Sequence, residues 1–497
     1  MSESSRRNGG SAGQSRKDVV VMKFGGTSVE DAPAIRRLVR LVQSRLKFAP
    51  VVVVSAFARV TDQLIALGRA AERGDLDEAE AGLLALRKRH HQVGEELVCG
   101  EAYLALVTDL ESDFEAARSV LHEVARGAEF HPRAQDRLLG FGEYLSSKVV
   151  SAALCHQEIE AVLVDARACI ITDRVHTHAS PLWRETNQCL NQVLEPLLEQ
   201  RKVPVLGGFI ASTVDGVPTT LGRGGSDLTA TIVGAALHAK RIEIWTDVDG
   251  IMSGDPGLCP DARLIRRMSF DEAAELAHFG AKVLHPATLE PAVKKNIPVY
   301  VLNSRNCECE GTEIVAHVTS GNSVRAVTAK RGIAAVEIEA ADGVSSELLH
   351  HIQATFDRHH CPVDVMGSSR GRVSLLVSRT SALPAVAADL QGLANLRWEN
   401  NKALVCLIGE NIRRQPDVVS RVFGSVSDLD VRVVCQGATD RTISFLVDDS
   451  RAVDSVQRLH GMFFPRSNGR SSSETPPPQP SLTANSNALC QAGESWQ

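Results

Sequence analysis

The sequence predicts an α/β protein with a doubly wound, mostly parallel sheet, followed by two smaller α+β units of ferredoxin-like type. Short apolar runs alternate with helical patterns over roughly 300 residues, as in a parallel sheet covered by helices. After about Val318 a strand–helix–strand–strand–helix order occurs twice. The Ser-, Gly- and Arg-rich segment 1–18 and the Ser-, Pro- and Asn-rich segment 466–497 predict disordered tails.

The first elements form a strand, a glycine turn and a helix. An apolar run begins at Val19 and stops at Gly25 and Gly26, and Glu30 and Asp31 then open a helical pattern. Because bare glycine backbone can approach an anion closely, this turn is a candidate phosphate contact.

The following elements continue the alternation. A second apolar run at 50–56 precedes a long stretch, 63–130, with helical periodicity and hardly any strand signal. Strand-like runs then return at 161–165, 203–210 and 242–247. This order favours one large α/β domain.

The second part of the chain predicts two related units. In the first, the strands are 333–340, 362–366 and 372–378, and the helices are 345–359 and 383–393. In the second, the strands are 403–408, 431–435 and 442–447, and the helices are 415–429 and 451–463.

The amino-acid composition of the chain argues against several classes of protein function. The 497 residues are 43% hydrophobic and 23% charged, which is ordinary for a folded protein of two to four domains. With 54 Lys and Arg against 60 Asp and Glu, the net charge of −6 leaves no basic excess for a nucleic-acid partner. No apolar run approaches the roughly 20 residues that cross a bilayer, so no membrane partner is expected. Eleven cysteines without a CxxC pair favour a cytoplasmic location over a disulfide framework.

Two groups could suggest a metal site. Cys307 and Cys309 form a CxC pair, but without further ligands a surface loop is favoured. The other group consists of His350, His351, His359, His360 and Cys361. These residues could equally belong to an amphipathic helix with solvent-facing histidines, and we predict no protein-bound metal there.

The motifs that could carry chemistry lie at strand ends. The chain has neither a P-loop nor a GxGxxG turn, so phosphate binding needs another route. Lys23 directly precedes the glycine pair and adds a positive charge, although a plain tight turn remains an alternative. Arg223 lies in a glycine-walled loop suited to a bidentate hold on a carboxylate or phosphate. Ser226 and Asp227 follow it, where a simple helix cap is the alternative.

Two further clusters come later. Thr246 and Asp247 follow an apolar run, at the place where open α/β sheets contact ligands. Lys282 stands near Gly280, and a solvated surface lysine is the alternative there.

Taken together, these motifs resemble the aspartokinase family. Six segments occur in the family's order and approximate spacing, and the resemblance covers about residues 19–465. The segments are Lys-Phe-Gly-Gly-Thr-Ser-Val at 23–29, Ser-Ala at 55–56 with Thr61, Gly142-Glu143, Leu-Gly-Arg-Gly-Gly-Ser-Asp at 221–227, Trp-Thr-Asp-Val-Asp-Gly at 245–250 and Phe-Gly-Ala-Lys-Val-Leu-His-Pro at 279–286.

The resemblance implies a domain plan and a reaction. An amino-acid kinase catalytic domain would span 19–317, a first ACT domain 332–398, and a second ACT domain 323–331 with 399–465. The implied activity transfers the γ-phosphoryl group of ATP, with Mg²⁺, to the β-carboxylate of L-aspartate, giving 4-phospho-L-aspartate. No homoserine dehydrogenase half is expected, so the enzyme would be monofunctional.

The resemblance also implies site residues. Three would be catalytic: Lys23, Asp227 and Lys282. The aspartate site would comprise Ser55, Ala56, Thr61, Glu143, Phe209, Arg223, Gly224, Ser226 and Asp227. The nucleotide site would comprise Lys23, Phe24, Gly25, Gly26, Ser28, Thr246, Asp247, Met252, Lys282 and Val283.

Regulation is expected at the ACT-like units, through an amino-acid effector and a homodimer. The predicted effector contacts are Val363, Asp364, Ser368 and Ser369, which resemble the ligand loop of lysine-inhibited relatives. Arg370 replaces an acidic residue expected next, and parts of the second unit, such as Arg441-Thr-Ile-Ser, resemble threonine-sensitive relatives. Lysine, threonine or both therefore remain open as effectors.

Two other functions remain alternatives. A non-catalytic amino-acid sensor on a kinase scaffold would fit the departures from the family pattern at Met252, Gly257 and Arg370. A kinase that uses glutamate, N-acetylglutamate or another small acid would keep the fold and change the acceptor.

Overall fold

The computed structural model describes residues 18–280, 284–318, 324–340, 343–369, 371–435 and 439–465. The predicted tails therefore lie outside the described residues, except for Asp18. The described chain forms two compact units, one of 18–247 with 294–300 and the other of 248–293 with 301–465. The domain boundaries implied by the resemblance stay a prediction.

The first unit contains eight strands and seven helices along 18–247. The strands are β1 (Val19–Phe24), β2 (Ala49–Val54), β3 (Ala161–Val164), β4 (Ile171–Thr172), β5 (Val203–Gly207), β6 (Ile210–Thr213), β7 (Pro218–Thr220) and β8 (Arg241–Thr246). The helices are α1 (Ala32–Arg45), α2 (Val60–Glu72), α3 (Leu76–Leu97), α4 (Gly100–Gly127), α5 (Pro132–His156), α6 (Trp183–Glu199) and α7 (Gly225–Ala236).

A parallel sheet forms the core of this unit, as the sequence predicts. Its order is β3-β5-β2-β1-β8, with every neighbouring pair parallel. All of β2 is buried, because a strand covered by helices on both faces needs apolar residues throughout. A smaller sheet has the order β4-β6-β7.

The helical segment 63–130 divides into α2, α3 and α4. Asp75 caps α3 by accepting a hydrogen bond from the backbone N–H of Glu78, and Gly100 opens α4. These helices and α5 bury apolar side chains such as Leu64, Leu110 and Leu138. They form a helical layer beside the sheet.

The second unit begins at Val248, within the predicted catalytic domain 19–317. It contains β9 (Arg267–Ser269), α8 (Phe270–His278) and β11 (Thr312–Val315), and β9 pairs with β11 in parallel. Helix α9 (Pro286–Lys295) and strand β10 (Val299–Asn303) each have residues in both units.

The remaining elements match the order of the two predicted α+β repeats. The strands are β12 (Ala326–Glu339), β13 (Val363–Ser369), β14 (Arg372–Val377), β15 (Asn395–Ile408), β16 (Val434–Cys435) and β17 (Thr442–Asp448). The helices are α10 (Ser346–Arg358), α11 (Leu383–Leu390), α12 (Pro416–Ser425) and α13 (Ala452–Phe463).

The two repeats share one antiparallel sheet, with the order β13-β14-β12-β15-β17-β16. Strands β12 and β15 are 14 residues each and pair along most of their length. Two separate hydrophobic clusters lie on this sheet, one around Phe356 and the other around Phe445. The sequence predicts only the halves 333–340 and 403–408 of the two shared strands.

Candidate active site

The central feature of the first unit is an ion pair between the end of β1 and the start of α7. Lys23 is the fifth residue of β1, and Asp227 lies in the first turn of α7. The Lys23 ammonium is 2.6 Å from Asp227 Oδ1, and both side chains are largely buried. Opposite charges this close in a partly desolvated place attract strongly, so each fixes the position of the other.

The glycine turn after β1 lies against two neighbouring strand ends. The Gly25 backbone N–H donates to Trp245 O at 2.9 Å, and the Ser28 hydroxyl donates to the same oxygen at 3.3 Å. A Cβ at Gly26 would lie only 3.1 Å from Ala56 O. The residues after β1 and β2 therefore lie in close contact, and glycine is needed for that approach.

Phe24 and Ser55 belong to the same strand ends. Phe24 is buried and stacks on Trp245 with ring centroids 6.2 Å apart. The Ser55 N–H donates to Phe24 O at 3.0 Å, and the Ser146 hydroxyl of α5 donates to Ser55 O at 2.6 Å. Thr61 lies half-buried in the first turn of α2.

Glu143 of α5 is the most unusual acid of this region. Its side chain is buried, and its Oε2 has no hydrogen-bond partner among the residues that the structure describes. Burial raises the pKa of Glu143 to about 8, while the Ala56 N–H and the charge of Lys23 act in the opposite direction. Glu143 is therefore poised to receive a positively charged group.

The segment after β5 packs tightly against this acid and against α7. A Cβ at Gly207 would lie 3.0 Å from Glu143 O, and one at Gly208 would lie 2.7 Å from Ser226 Cα. Phe209 adopts a left-handed backbone with φ 65°, and its N–H donates to the Thr229 hydroxyl at 3.0 Å. Thr229 thus holds a backbone conformation that is unusual for phenylalanine.

The N-terminus of α7 carries several of the predicted aspartate contacts. Gly224 is its N-cap with φ 73°, and no side chain caps the helix. Ser226 is buried, whereas Arg223 is exposed and forms no ion pair with the described part of the chain. A helix start without a side-chain cap, together with a nearby guanidinium, suits an anion.

The later predicted nucleotide contacts are divided between the two units. Thr246 and Asp247 follow each other at the end of β8, with the Thr246 hydroxyl 3.2 Å from Asp247 Oδ1. Met252 belongs to the second unit, where it forms an isolated bridge with Leu264. Lys282 and Val283 lie outside the described residues.

The predicted effector contacts lie on β13 in the second unit. Val363 pairs with Val377, and Ser368 and Ser369 are near the far end of the β13–β14 hairpin. Asp364 is paired with Lys330 at 2.6 Å and accepts a hydrogen bond from the Ser378 hydroxyl. Arg370 lies outside the described residues.

Two side chains that hold loops near the site belong to no sequence motif, so the sequence alone did not identify them. Asp136 is a buried acid on α5 that accepts from the Thr220 hydroxyl at 2.6 Å and from the Thr177 N–H at 3.0 Å. Arg89 of α3 donates to backbone oxygens in two loops of the site. A single Asp or Arg inside a helical pattern gives no signal, because its partners are distant in sequence.

The described residues contain no helix that is both long enough and apolar enough to cross a membrane. Their ten cysteines are all free.

Comparisons with known proteins agree with this architecture. A model of the amino acid kinase family matches residues 18–303, and a model of the ACT domain matches residues 405–463. These matches cover the parallel sheet and the second of the two C-terminal repeats.

The chain is similar over most of its length to several aspartokinases. It is 33% identical to the lysine-sensitive aspartokinase 3 of Escherichia coli over 90% of this chain and 99% of that protein. It is 31% identical to the chloroplastic aspartokinase 2 of Arabidopsis thaliana over 91% of this chain and 86% of that protein.

Solved structures agree. Aspartokinase III of E. coli in complex with aspartate and ADP matches with a TM-score of 0.79 at 32% identity, over 90% of this chain and all of that one. The complex of the same enzyme with lysine and aspartate matches with a TM-score of 0.77. The strand order, the clustered motifs and these full-length matches together show that the chain belongs to the aspartokinase family of amino acid kinases.

Proposed function

We propose that the residues around the Lys23–Asp227 pair transfer the γ-phosphoryl group of ATP to the β-carboxylate of L-aspartate. The observation that carries this assignment is the buried Glu143, whose Oε2 lacks a partner among the described residues and which feels the charge of Lys23. An α-ammonium group is a partner that suits such an acid, because its charge would favour the ionised carboxylate. An amino acid bound there would lie close to the phosphate-binding lysine.

Other residues would hold the α-carboxylate of aspartate and line the rest of its pocket. Arg223 and the N-terminus of α7, with Gly224 and Ser226, suit the α-carboxylate. Ser55, Ala56, Thr61 and Phe209 would line the remaining pocket. This arrangement recognises an amino acid and not merely a dicarboxylic acid.

The nucleotide phosphates would lie at the Gly25–Gly26 turn, with Lys23 neutralising their charge. Thr246 and Asp247 would contact the nucleotide, together with Phe24 and Ser28 through the turn. Met252, Lys282 and Val283 keep the nucleotide roles implied by the resemblance. Mg²⁺ prefers carboxylate and phosphate oxygens, and Asp227 supplies a carboxylate of the right kind beside Lys23. When bound, Mg²⁺ would neutralise phosphate charge.

The chemistry requires placement more than proton transfer. The β-carboxylate of aspartate is ionised near neutral pH and can attack without a general base. Phosphoryl transfer then depends on in-line positioning and on positive charge around the migrating group. Lys23 and Lys282 would supply that charge, and Asp227 would hold Lys23 in position.

The test is ATP- and aspartate-dependent acyl-phosphate formation, trapped as the hydroxamate. Lys23→Ala should lower kcat by roughly a hundredfold or more, because it removes preorganised charge from the transferring group. Lys240→Gln is the matched control, since Lys240 pairs with Asp18 at an exposed place of the same unit. Wild-type turnover in Lys23→Ala would refute the role of Lys23, and nucleotide binding without any turnover in the native chain would favour a sensor.

Regulation by an amino acid is proposed for the second unit. The E. coli relative is named lysine-sensitive, and its structure with lysine is known. Asp364 is the acid best placed on β13 to meet an effector ammonium, although Lys330 already pairs with it. Lysine is therefore the first effector to test, with threonine and the two together as the other arms of the assay.

Two contacts within the second unit could transmit an effector's signal to α8. Arg325 pairs with Glu272 at 3.2 Å, and Arg441 pairs with Asp271 at 2.8 Å. Both acids lie in the first turn of α8, in the same unit as Met252. The proposed assembly is a homodimer formed through the ACT-like repeats, and the mass in solution tests it. A cytoplasmic location stays a prediction from the cysteine pattern.

A further inference from the structure

Two loops of the proposed site lie in van der Waals contact. We define the phosphate loop as residues 25–30 and the aspartate loop as residues 55–61. A Cβ at Gly26 would lie 3.1 Å from Ala56 O and 3.4 Å from Ala58 Cα. The separation between the two loops therefore sets the separation between any phosphate donor held by one and any acceptor held by the other.

One guanidinium joins these two loops from outside the site. Arg89 of α3 donates from Nη1 to Ala58 O and from Nη2 to Glu30 O, each at 2.9 Å. Glu30 ends the phosphate loop, and Ala58 lies in the middle of the aspartate loop. Because the guanidinium is planar and rigid, its two nitrogens fix the distance between the two carbonyl oxygens.

Helix α3 also contacts the aspartate loop through the ring of Phe57. The Arg89 guanidinium carbon lies 5.7 Å from the centroid of the Phe57 ring, and His90 stacks on that ring at 4.6 Å with an angle of 5°. His90 is fully buried, and its Nδ1 lies 2.8 Å from Leu86 O. The aromatic side chain of the loop is thus enclosed by residues of α3.

The aspartate loop needs such support. Arg59 adopts a left-handed backbone with φ 69°, and it is the N-cap of α2 without a side-chain cap. The left-handed conformation is unfavourable for a residue that has a Cβ, so the surrounding contacts must hold Arg59 in it. Arg89 binds the carbonyl of Ala58, directly before this strained residue.

We propose that Arg89 is a positioning residue that keeps the phosphate and aspartate loops in register for phosphoryl transfer. The proposal rests on the function proposed above for these two loops. Arg89 contacts the backbone of the loops, and it would act on the reaction only through their relative position. Its loss should therefore change the transfer step more than the binding of either substrate.

The test compares Arg89→Gln and Arg89→Lys with a matched control on the same helix. Arg87 forms a two-point ion pair with Glu111 of α4, at 2.7 Å, and belongs to neither loop contact. Arg87→Gln therefore removes an arginine contact of α3 while leaving both loops untouched. The measured quantities are kcat, the KM of each substrate, the melting temperature, and the ratio of ADP released to hydroxamate formed.

We expect Arg89→Gln to lower kcat by roughly tenfold to a hundredfold with smaller changes in KM, because small misplacements of reacting groups cost about that much. The ratio of ADP to hydroxamate should rise above one, since a displaced acceptor lets water compete. Arg89→Lys keeps a cation that can reach one of the two oxygens, and its kcat should be intermediate. Arg87→Gln should retain the native kcat and ratio.

Native kcat and a ratio of one in both Arg89 variants would overturn the proposal, whatever happens to the melting temperature. If Arg89→Gln does not fold, native kcat and ratio in Arg89→Lys would still overturn it. Failure of the proposed function is a different outcome, because the native enzyme itself would then form no hydroxamate.

Discussion

The ammonium group of Lys330 lies 2.6 Å from Oδ1 of Asp364, across the sheet that the two C-terminal repeats share. The Ser378 hydroxyl donates to the other carboxylate oxygen. The acid proposed to receive an effector thus already has a lysine ammonium, supplied by the chain itself. A free lysine would have to displace this internal partner to bind Asp364.

Lys330→Gln should therefore make the enzyme more sensitive to lysine. Removing the internal ammonium frees Asp364, and we expect the half-inhibitory lysine concentration to fall by roughly threefold to tenfold, since the competing internal state is lost. Arg331→Gln is the control, because the adjacent Arg331 pairs with Asp449 instead. Hydroxamate assays over a lysine series measure the effect, and equal inhibition of both variants and the native enzyme would contradict it.

Aspartate binding should release a proton from Glu143. The pKa of this buried carboxyl is raised to about 8, so it is protonated at pH 7 in the free enzyme. An α-ammonium group beside it would lower that pKa and expel up to about one proton. Calorimetric titration in buffers of different ionisation enthalpy measures the number of protons.

Two controls accompany this experiment. Succinate lacks the ammonium group, so its binding should release no proton from Glu143. Glu143→Gln has no proton to release, and its KM for aspartate should rise. Equal proton release with aspartate and succinate would show that Glu143 does not receive the ammonium group.

Glu143 should also give the free enzyme a distinctive pH dependence of stability. Between its ordinary pKa of 4.5 and about 8, the folded state holds a proton that the unfolded chain has lost. The contribution of this carboxyl to the free energy of unfolding is therefore full below the lower value and decreases as the pH rises, by at most about 1.4 kcal/mol per pH unit. Urea unfolding from pH 5 to 8 should show the native enzyme losing stability relative to Glu143→Gln, whereas parallel curves would refute the assignment.

Gly208→Ala should disturb the start of α7. A Cβ at Gly208 would lie 2.7 Å from Ser226 Cα, so the backbone must move, at a cost of about 1–3 kcal/mol in stability. Since Asp227 and Arg223 flank that point, kcat should fall as well. Gly127→Ala at the end of α4 meets no atom within 4 Å and should leave both quantities unchanged. Native kcat and melting temperature in Gly208→Ala would contradict this packing argument.

Much of the fold follows from local patterns in the sequence. The valine run of β2, the helical stretch that becomes α2 to α4, and the repeated order of strands and helices after Val318 were all predictable from periodicity. The predicted helix start near Ser226 and Asp227 is confirmed, because α7 begins at Gly225. The predicted strand 431–435 shortens to Val434–Cys435, since pairing with β17 covers only those two residues.

The sequence by itself determined the alternation of strands and helices, the glycine turns and the family, because each is written in short segments of neighbouring residues. Only the tertiary structure decided which distant residues meet. The Lys23–Asp227 pair, the buried Glu143 and the bridge made by Arg89 join segments far apart in the chain. The physical reason is that burial and pairing depend on the packing of the whole unit, so the pKa of Glu143 or the partner of Arg89 cannot be inferred from its neighbours along the chain.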